Sequence, residues 1–309
     1  MKVFRGYRDL HFRNPVVTIG IFDGVHHGHS KVLQTLTAAS QRIDGESVVI
    51  TLEPHPRIVL SKGECSLRLL TSLEEKISLL DRAGINNLVV LPFTEEFSRL
   101  SACEFVKEVL EEGLGTAHLV VGFDHKFGRR GDEKSESIEV CAAKSGFSVE
   151  MVEAFSEEGM QVSSTTIRKL ISGGDLDEAN RLLGYDYFLK GTVVEGMKIG
   201  RAIGYPTANL KPNYDFKLIP RPGVYVAEVL FNESMYKSMI YIGTRPTLKE
   251  RNKKLSIEAH LFDYSGDLYG KDITLRFRHR LRDDYKFESR ELLIEQIDRD
   301  REDTLKFWL

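Results

Sequence analysis

The residues best suited to chemistry crowd into one stretch, Gly20-Ile21-Phe22-Asp23-Gly24-Val25-His26-His27-Gly28-His29. The apolar run Val16-Val17-Thr18-Ile19 precedes it, and apolar residues recur after it at Val32, Leu33, Leu36, Ala39 and Ile43. That order predicts a strand, a glycine-rich turn and a helix start. Such a turn offers backbone N–H groups and the positive end of a helix to an anion, and its glycines let a phosphate approach the backbone. His26 and His29, one helical turn apart, add side-chain donors at the same place. The turn holds no serine or cysteine nucleophile, so the chemistry predicted is phosphate positioning and charge stabilisation rather than a covalent intermediate. The same spacing also fits a turn whose histidines are merely solvated.

Three further polar stretches follow predicted strands or open helices: Glu53-Pro54-His55-Pro56-Arg57, Gly122-Phe123-Asp124-His125-Lys126-Phe127-Gly128, and Ser163-Ser164-Thr165-Thr166-Ile167-Arg168. In the last, hydroxyls at a helix start precede an arginine able to face a polyphosphate. Strand-ending prolines and a common helix cap are the alternative readings. Far along the chain lies Gly191-Thr192-Val193-Val194-Glu195-Gly196-Met197-Lys198-Ile199-Gly200-Arg201-Ala202-Ile203-Gly204-Tyr205-Pro206-Thr207-Ala208-Asn209-Leu210. It lacks the Gly-Lys-Ser/Thr ending of a Walker loop. Its glycines allow close backbone approach, and Thr207 and Asn209 offer two oxygens of the kind a Mg²⁺ uses alongside phosphate and water. On residue types alone, a Pro-Thr turn capped by an asparagine is the favoured reading.

The elements that must position these residues change character along the chain. In the first half, strands are predicted at 16–19, 47–52, 88–91, 119–121 and 147–152. Helices fall between them, two opened by the capping-box patterns Thr71-Ser72-Leu73-Glu74 and Ser101-Ala102-Cys103-Glu104. Alternating strands and helices mean a parallel, doubly wound sheet with ligands at the carboxyl ends of its strands. Asp175 to Glu178 opens a short helix that Gly184 closes. Beyond it, short β-branched and aromatic runs at 188–195, 224–231, 235–242, 255–263 and 273–278 predict an antiparallel barrel or sandwich, with helical structure over 288–308 laid upon it. The expected boundary lies near Gly184, giving domains 1–184 and 185–309.

With 309 residues, 41% hydrophobic and 29% charged, the chain has the composition of an ordinary globular protein long enough for two domains. A formal charge of −3 supplies no basic field for nucleic acid. No run approaches the ~20 apolar residues of a membrane span, and the amino terminus lacks the apolar stretch of a signal peptide. Neither a nucleic-acid nor a membrane partner is expected, the cytoplasm is the expected location, and no pattern specifies an oligomer. Cys65, Cys103 and Cys141 are odd in number and widely spaced, which predicts reduced, buried thiols rather than a disulfide framework or zinc site.

His26-His27-Gly28-His29 resembles the His-x-Gly-His signature of nucleotidyltransferases, and the chain as a whole resembles the bacterial bifunctional riboflavin kinase/FAD synthetase family. The first four stretches match that family's glycine turn, Pro-His-Pro element, flavin-side loop and Ser-Ser-Thr-x-Ile-Arg helix start. His125 departs from the aromatic residue usual in that loop. The later stretch matches the family's glycine-rich loop and Pro-Thr-Ala-Asn motif, and Glu258-Ala259-His260 matches the strand bearing its catalytic glutamate. The resemblance implies a Rossmann-like nucleotidyltransferase sheet followed by a β-barrel with a closing helix. It implies that the chain phosphorylates riboflavin with ATP to FMN and adenylylates FMN with ATP to FAD, releasing pyrophosphate, with Mg²⁺ as cofactor. By that resemblance His26 and His29 act on the ATP phosphates, with Gly20, Phe22, Gly24, Gly28, Ser164, Thr165 and Arg168 around them, and His55 and Asp124 face FMN. Gly200 and Gly204 would approach the second ATP, Thr207 and Asn209 would hold the metal, and Glu258 would be the general base. The alternatives are a flavin sensor or store without turnover, and a nucleotidyltransferase for another phosphorylated acceptor.

Overall fold

A computed structural model describes residues 1–61, 66–123, 136–157 and 159–309 except 245–254. The chain divides into two compact units, Met1–Ser164 and Thr165–Leu309.

The first unit is built on a six-stranded parallel sheet. Its strands are β1 (Lys2–Arg5), β2 (Val16–Ile19), β3 (Ser47–Glu53), β4 (Asn87–Pro92), β5 (His118–Gly122) and β6 (Ser148–Val152), in the spatial order β1-β4-β3-β2-β5-β6. From β2 the chain builds outward through β3 and β4, then returns to place β5 on the other side. The carboxyl ends of β2 and β5 therefore flank the crevice where the order reverses, which is where open α/β sheets bind ligands. Central strands read as continuous apolar runs because both sheet faces are covered. On one face Val17, Ile19, Val48, Ile50, Val89 and Leu91 join Phe105, Val109 and Leu110 in a single core. Val49, Leu88 and Val120, of opposite parity, are buried as well. β1 escaped the sequence reading because an exposed edge strand, here Lys2-Val3-Phe4-Arg5, needs no apolar run.

The helices are α1 (His27–Arg42), α2 (Pro56–Leu60), α3 (Leu73–Arg82), α4 (Ala102–Phe105, continuing into wider π-helical turns over Val106–Gly113) and α5 (Ile138–Lys144). Ser101 and Glu104 form the expected capping box on α4. On α3 the box is shifted by one residue: Ser72 is the cap and Glu75 its partner. Thr71, freed from capping, serves the glycine turn instead. A further correction concerns the cysteines. Cys103 and Cys141 form a disulfide between α4 and α5, because neighbouring helices bring together positions 38 residues apart; Cys65 lies outside the described residues. Glu136 stands beside the two sulfurs, but bonded sulfurs offer no thiolate to a metal. A small hairpin, β7 (Ser156–Glu157) and β8 (Met160–Gln161), ends the unit.

The second unit opens with α6 (Ser164–Gly173), whose first residue belongs to the first unit, and α7 (Leu176–Leu183). Asp175 caps α7 and Gly184 ends it in the left-handed region at φ 78°, as the sequence predicts. Asn180 of α7 donates to the Phe277 carbonyl at 2.9 Å and accepts from the Tyr187 N–H at 2.8 Å. α7 is thereby stitched to the strand that carries Phe277. The barrel itself is closed by six antiparallel strands: β9 (Phe188–Val194), β10 (Ala208–Pro212), β11 (Gly223–Phe231), β12 (Ser234–Thr244), β13 (Leu255–Leu261) and β14 (Asp272–Asp283), in the order β10-β13-β12-β11-β14-β9. The sequence reading found five of these. β10, read there as a turn, is the strand that closes the barrel between β9 and β13. The one-turn helix α8 (Ile199–Ala202) lies between β9 and β10. α9 (Arg290–Lys306), capped by Ser289, lies on β11, β12 and β14. Ile297 and Leu305 of α9 meet Val224, Met239 and Phe262, while its buried Asp300 binds Arg282 at 2.6 Å.

Candidate active sites

The glycine turn of the first unit sits at the carboxyl end of β2 and is held by the residues just before α3. Asp23, 3% exposed, accepts from the Leu70 N–H at 2.9 Å, the Thr71 N–H at 3.0 Å and the Thr71 hydroxyl at 3.3 Å. Thr71 Oγ1 in turn accepts from the Gly24 N–H at 3.1 Å. This clamp holds a strained backbone: Phe22 and Val25 have φ of 50° and 39°, beside Gly24 at 86°. A β-branched residue at positive φ is rare, and such strain persists where surrounding structure imposes it, often at functional sites. No sequence signal assigns Asp23 this role.

Both signature histidines lie here. His26 caps α1, its Nδ1 accepting from the His29 N–H at 3.4 Å. The Nδ1 acceptor role puts its proton on Nε2, which stands 3.4 Å from Ser164 Oγ; that hydroxyl donates to the Asp23 carbonyl at 2.9 Å. The two rings stack at 3.7 Å, and Phe22 meets His29 edge-on at 5.1 Å. His29 Nδ1 is buried with no hydrogen-bond partner among the described residues. Burial, then His26, then Lys76 hold the His29 pKa well below 6.5, so near neutral pH the ring is uncharged. Gly20, Phe22, Gly24, Gly28, His26, His29 and Ser164 are thus one cluster. Gly28 has no room for a side chain without crowding the His26 ring, 3.2 Å from where a Cβ would be.

Behind the turn lies a group the sequence reading missed. Lys76 of α3, 4% exposed, donates to Thr51 Oγ1 at 3.1 Å, and Thr51 donates to the Ile21 carbonyl at 3.2 Å. Burial lowers the Lys76 pKa, with Asp23 and Glu53 opposing; burial raises that of Glu53, with Lys76 and Arg5 opposing. The signal was present in the pattern: Lys76 falls on the same helical face as Leu73 and Leu80, where a solvated lysine does not belong.

His55 follows β3, 8% exposed, and caps α2 by accepting from the Arg57 N–H at 3.0 Å. Thr165 and Arg168 belong to the second unit, where Arg168 reaches Thr165 Oγ1 at 3.5 Å within α6. Asp124 and His125 lie outside the described residues.

In the second unit, barrel closure assembles the later cluster. Asn209 of β10 lies opposite Glu258 of β13 in the ladder. Thr207, just before β10, donates from Oγ1 to Glu258 Oε2 at 2.9 Å. A Cβ on Gly196 would sit 2.2 Å from the Asn209 amide nitrogen, so a side chain there would displace that amide. Gly200 lies in α8, and Gly204 ends that turn at φ 88°. α9 holds this loop from outside: Arg290 donates to the Ala202 carbonyl at 2.8 Å, and the Tyr205 hydroxyl donates to Asp298. Tyr205 is pushed up to about 12 by burial and by Asp298. Tyr241, the β12 neighbour of Glu258, donates to Asp284 at 3.0 Å and is pushed up to about 12 by burial, then by Asp284. His260 Nδ1 pairs with the Pro206 carbonyl at 2.8 Å, and burial lowers its pKa. An open cavity of about 340 Å³ beside Pro206 is lined by His260, Phe262, Tyr264 and Arg301.

A doubly wound sheet with a histidine-bearing anion turn, joined to a closed barrel carrying a Thr/Asn/Glu cluster, defines a two-part phosphate-transferring enzyme. Two family models divide the chain accordingly, FAD synthetase over residues 9–166 and riboflavin kinase over residues 183–308. The bifunctional riboflavin kinase/FMN adenylyltransferase of Listeria monocytogenes is 37% identical over 96% of this chain and 93% of its own length. That of Escherichia coli K12 is 34% identical over 97% and 96%. The chain belongs to the bifunctional riboflavin kinase/FAD synthetase family, and is an enzyme with both activities. A crystal structure of a Streptococcus pneumoniae protein, described as a macrolide-efflux protein, shares the fold at a TM-score of 0.88 and 30% identity, over 98% of this chain and 99% of that one. Among the described residues of the present chain no helix is long and apolar enough to cross a membrane.

Proposed function

We propose that the two activities divide between the two clusters, with the functional boundary near Gly184: FMN adenylylation by domain 1–184 and riboflavin phosphorylation by domain 185–309. The observation that carries the kinase assignment is the Thr207–Glu258 hydrogen bond at 2.9 Å beside Asn209. Glu258 accepts the proton of the ribityl hydroxyl as that oxygen attacks the γ-phosphate of ATP, a general-base role within a step governed by positioning and charge. In the first unit the reacting α-phosphate of ATP is attacked by the FMN phosphate, and pyrophosphate leaves. The turn's backbone donors and neutral His29 stabilise charge on the phosphates, while His26 holds α1 and Ser164 in place. His55, Asp124, Thr165 and Arg168 are assigned to flavin and polyphosphate by their match to the family motifs.

The barrel cluster suits Mg²⁺. Asn209 and Glu258 present hard oxygen donors on neighbouring strands with Thr207 just before the first of them, and the missing Gly196 side chain gives the Asn209 amide its place. When bound, the metal neutralises polyphosphate charge; Thr207 and Asn209 would hold it. The use of ATP in both transfers supports the cytoplasm as the working location. Incubation with riboflavin, ATP and Mg²⁺, followed by separation of flavins, tests the reading. FMN and then FAD should form, and both should vanish in excess chelator; undiminished turnover in chelator would remove the metal from the proposal.

A further inference from the structure

The buried lysine behind the glycine turn has no role in either transfer as described. Lys76, Thr51 and Ile21 form a continuous relay from α3 through β3 to the turn: Nζ to Oγ1 at 3.1 Å, then Oγ1 to the Ile21 carbonyl at 3.2 Å. Lys76 and Thr51 are 4% and 0% exposed, so water does not replace either bond. We propose that Lys76 is a positioning residue for adenylyl transfer, which fixes the turn that faces the phosphates by holding Thr51 and, through it, the Ile21 carbonyl. The inference rests on the assignment of that turn to adenylyl transfer.

Three physical points support it. A lysine on a core-facing helical position costs stability unless paired, so its burial here needs a compensating arrangement. Asp23 and Glu53 provide opposite charge, and the Thr51 hydroxyl provides the hydrogen bond. Next, the relay ends one residue before Phe22, whose φ of 50° opens the strained part of the turn. The Asp23–Thr71 clamp grips the middle of that strained segment, at Asp23 and Gly24; the lysine relay grips its near end. Both grips come from one short piece of chain, Leu70 to Lys76, so α3 acts as the base on which the turn is mounted. Finally, Thr51 satisfies both neighbours at once because its hydroxyl accepts from nitrogen and donates to oxygen. Valine has nearly its shape and can do neither.

That chemistry sets the test. Full-length Thr51→Val should lower kcat for FMN adenylylation about tenfold, as displaced preorganised donors do, with the KM for FMN little changed and riboflavin phosphorylation intact. Thr51→Ser keeps the relay and should recover most of the lost rate. Lys76→Met should lose at least as much as Thr51→Val, and the double variant no more than Lys76→Met alone, since both break one relay. If Lys76→Met fails to fold, the two Thr51 variants decide the matter. A wild-type kcat in Thr51→Val, or equal losses in the serine and valine variants, overturns the proposal. His29→Ala, assayed in parallel, separates the two levels of inference. If it too leaves FAD formation unchanged, the turn is not the adenylylation site; if it alone reduces FAD formation, only the relay fails.

Discussion

The two clusters reach similar ends by different constructions. In the first unit, functional groups sit on a turn at a strand end, and an interior network of Asp23, Thr71, Thr51 and Lys76 holds a backbone with two non-glycine residues at positive φ. In the second, Asn209 and Glu258 are placed by strand register and lie opposite each other in a regular ladder. A turn must be braced from outside itself, whereas a ladder positions its side chains through the hydrogen bonds that make it a sheet. The first site should therefore be sensitive to buried residues that never touch substrate. The second should depend mainly on the groups that do.

The largest expected effect tests what belongs to the second construction. A fragment beginning at Thr165 should be more stable than one beginning at residue 185, because the latter loses the Asn180 hydrogen bonds and the burial of Leu176, Leu182 and Leu183. Three such side chains are together worth roughly 5 kcal/mol. Equal thermal unfolding midpoints would show that α7 is dispensable to the barrel. Glu258→Gln preserves size but removes basicity, so riboflavin phosphorylation should fall on the order of a thousandfold while supplied FMN is still converted to FAD. His29→Ala should do the reverse, reducing FAD formation about a hundredfold as FMN accumulates. Loss of both activities in each folded single variant would replace two independent sites by one composite site.

The smallest effect is a pH dependence confined to the first construction. Burial, aided by His26 and Lys76, keeps the folded His29 pKa below 6.5, so below that value the unfolded chain binds a proton that folded His29 refuses. The stability contributed by keeping His29 neutral is present above pH 6.5 and falls as pH drops toward the folded pKa. Thermal melts from pH 7.5 downward should therefore show wild type losing more stability than His29→Gln. Parallel curves would mean that this ring is not protected from protonation.

How much was legible follows the range of the interactions. The glycine turn, the Asp175–Gly184 helix and the Ser101 capping box are local patterns, and each appears where its residues predict it. Periodicity identified the parallel sheet because its central strands are apolar on both faces. It passed over β1 and β10, whose edge position and motif-rich composition hide the strand pattern. The family motifs pointed to Thr207, Asn209 and Glu258 separately; barrel closure brings the last to the first two across about fifty residues.

Local chemistry along the chain was enough to specify which residues could bind phosphate and which kinds of element carry them, since capping, period and turn preference act over a few residues. The one-residue shift of the α3 cap, the Cys103–Cys141 bond and the Lys76–Thr51–Ile21 relay depend on residues 25 or more positions apart meeting in a packed interior. There a lone lysine or an ordinary threonine acquires its role only from the partners that folding places beside it, because burial removes the water that would otherwise satisfy it.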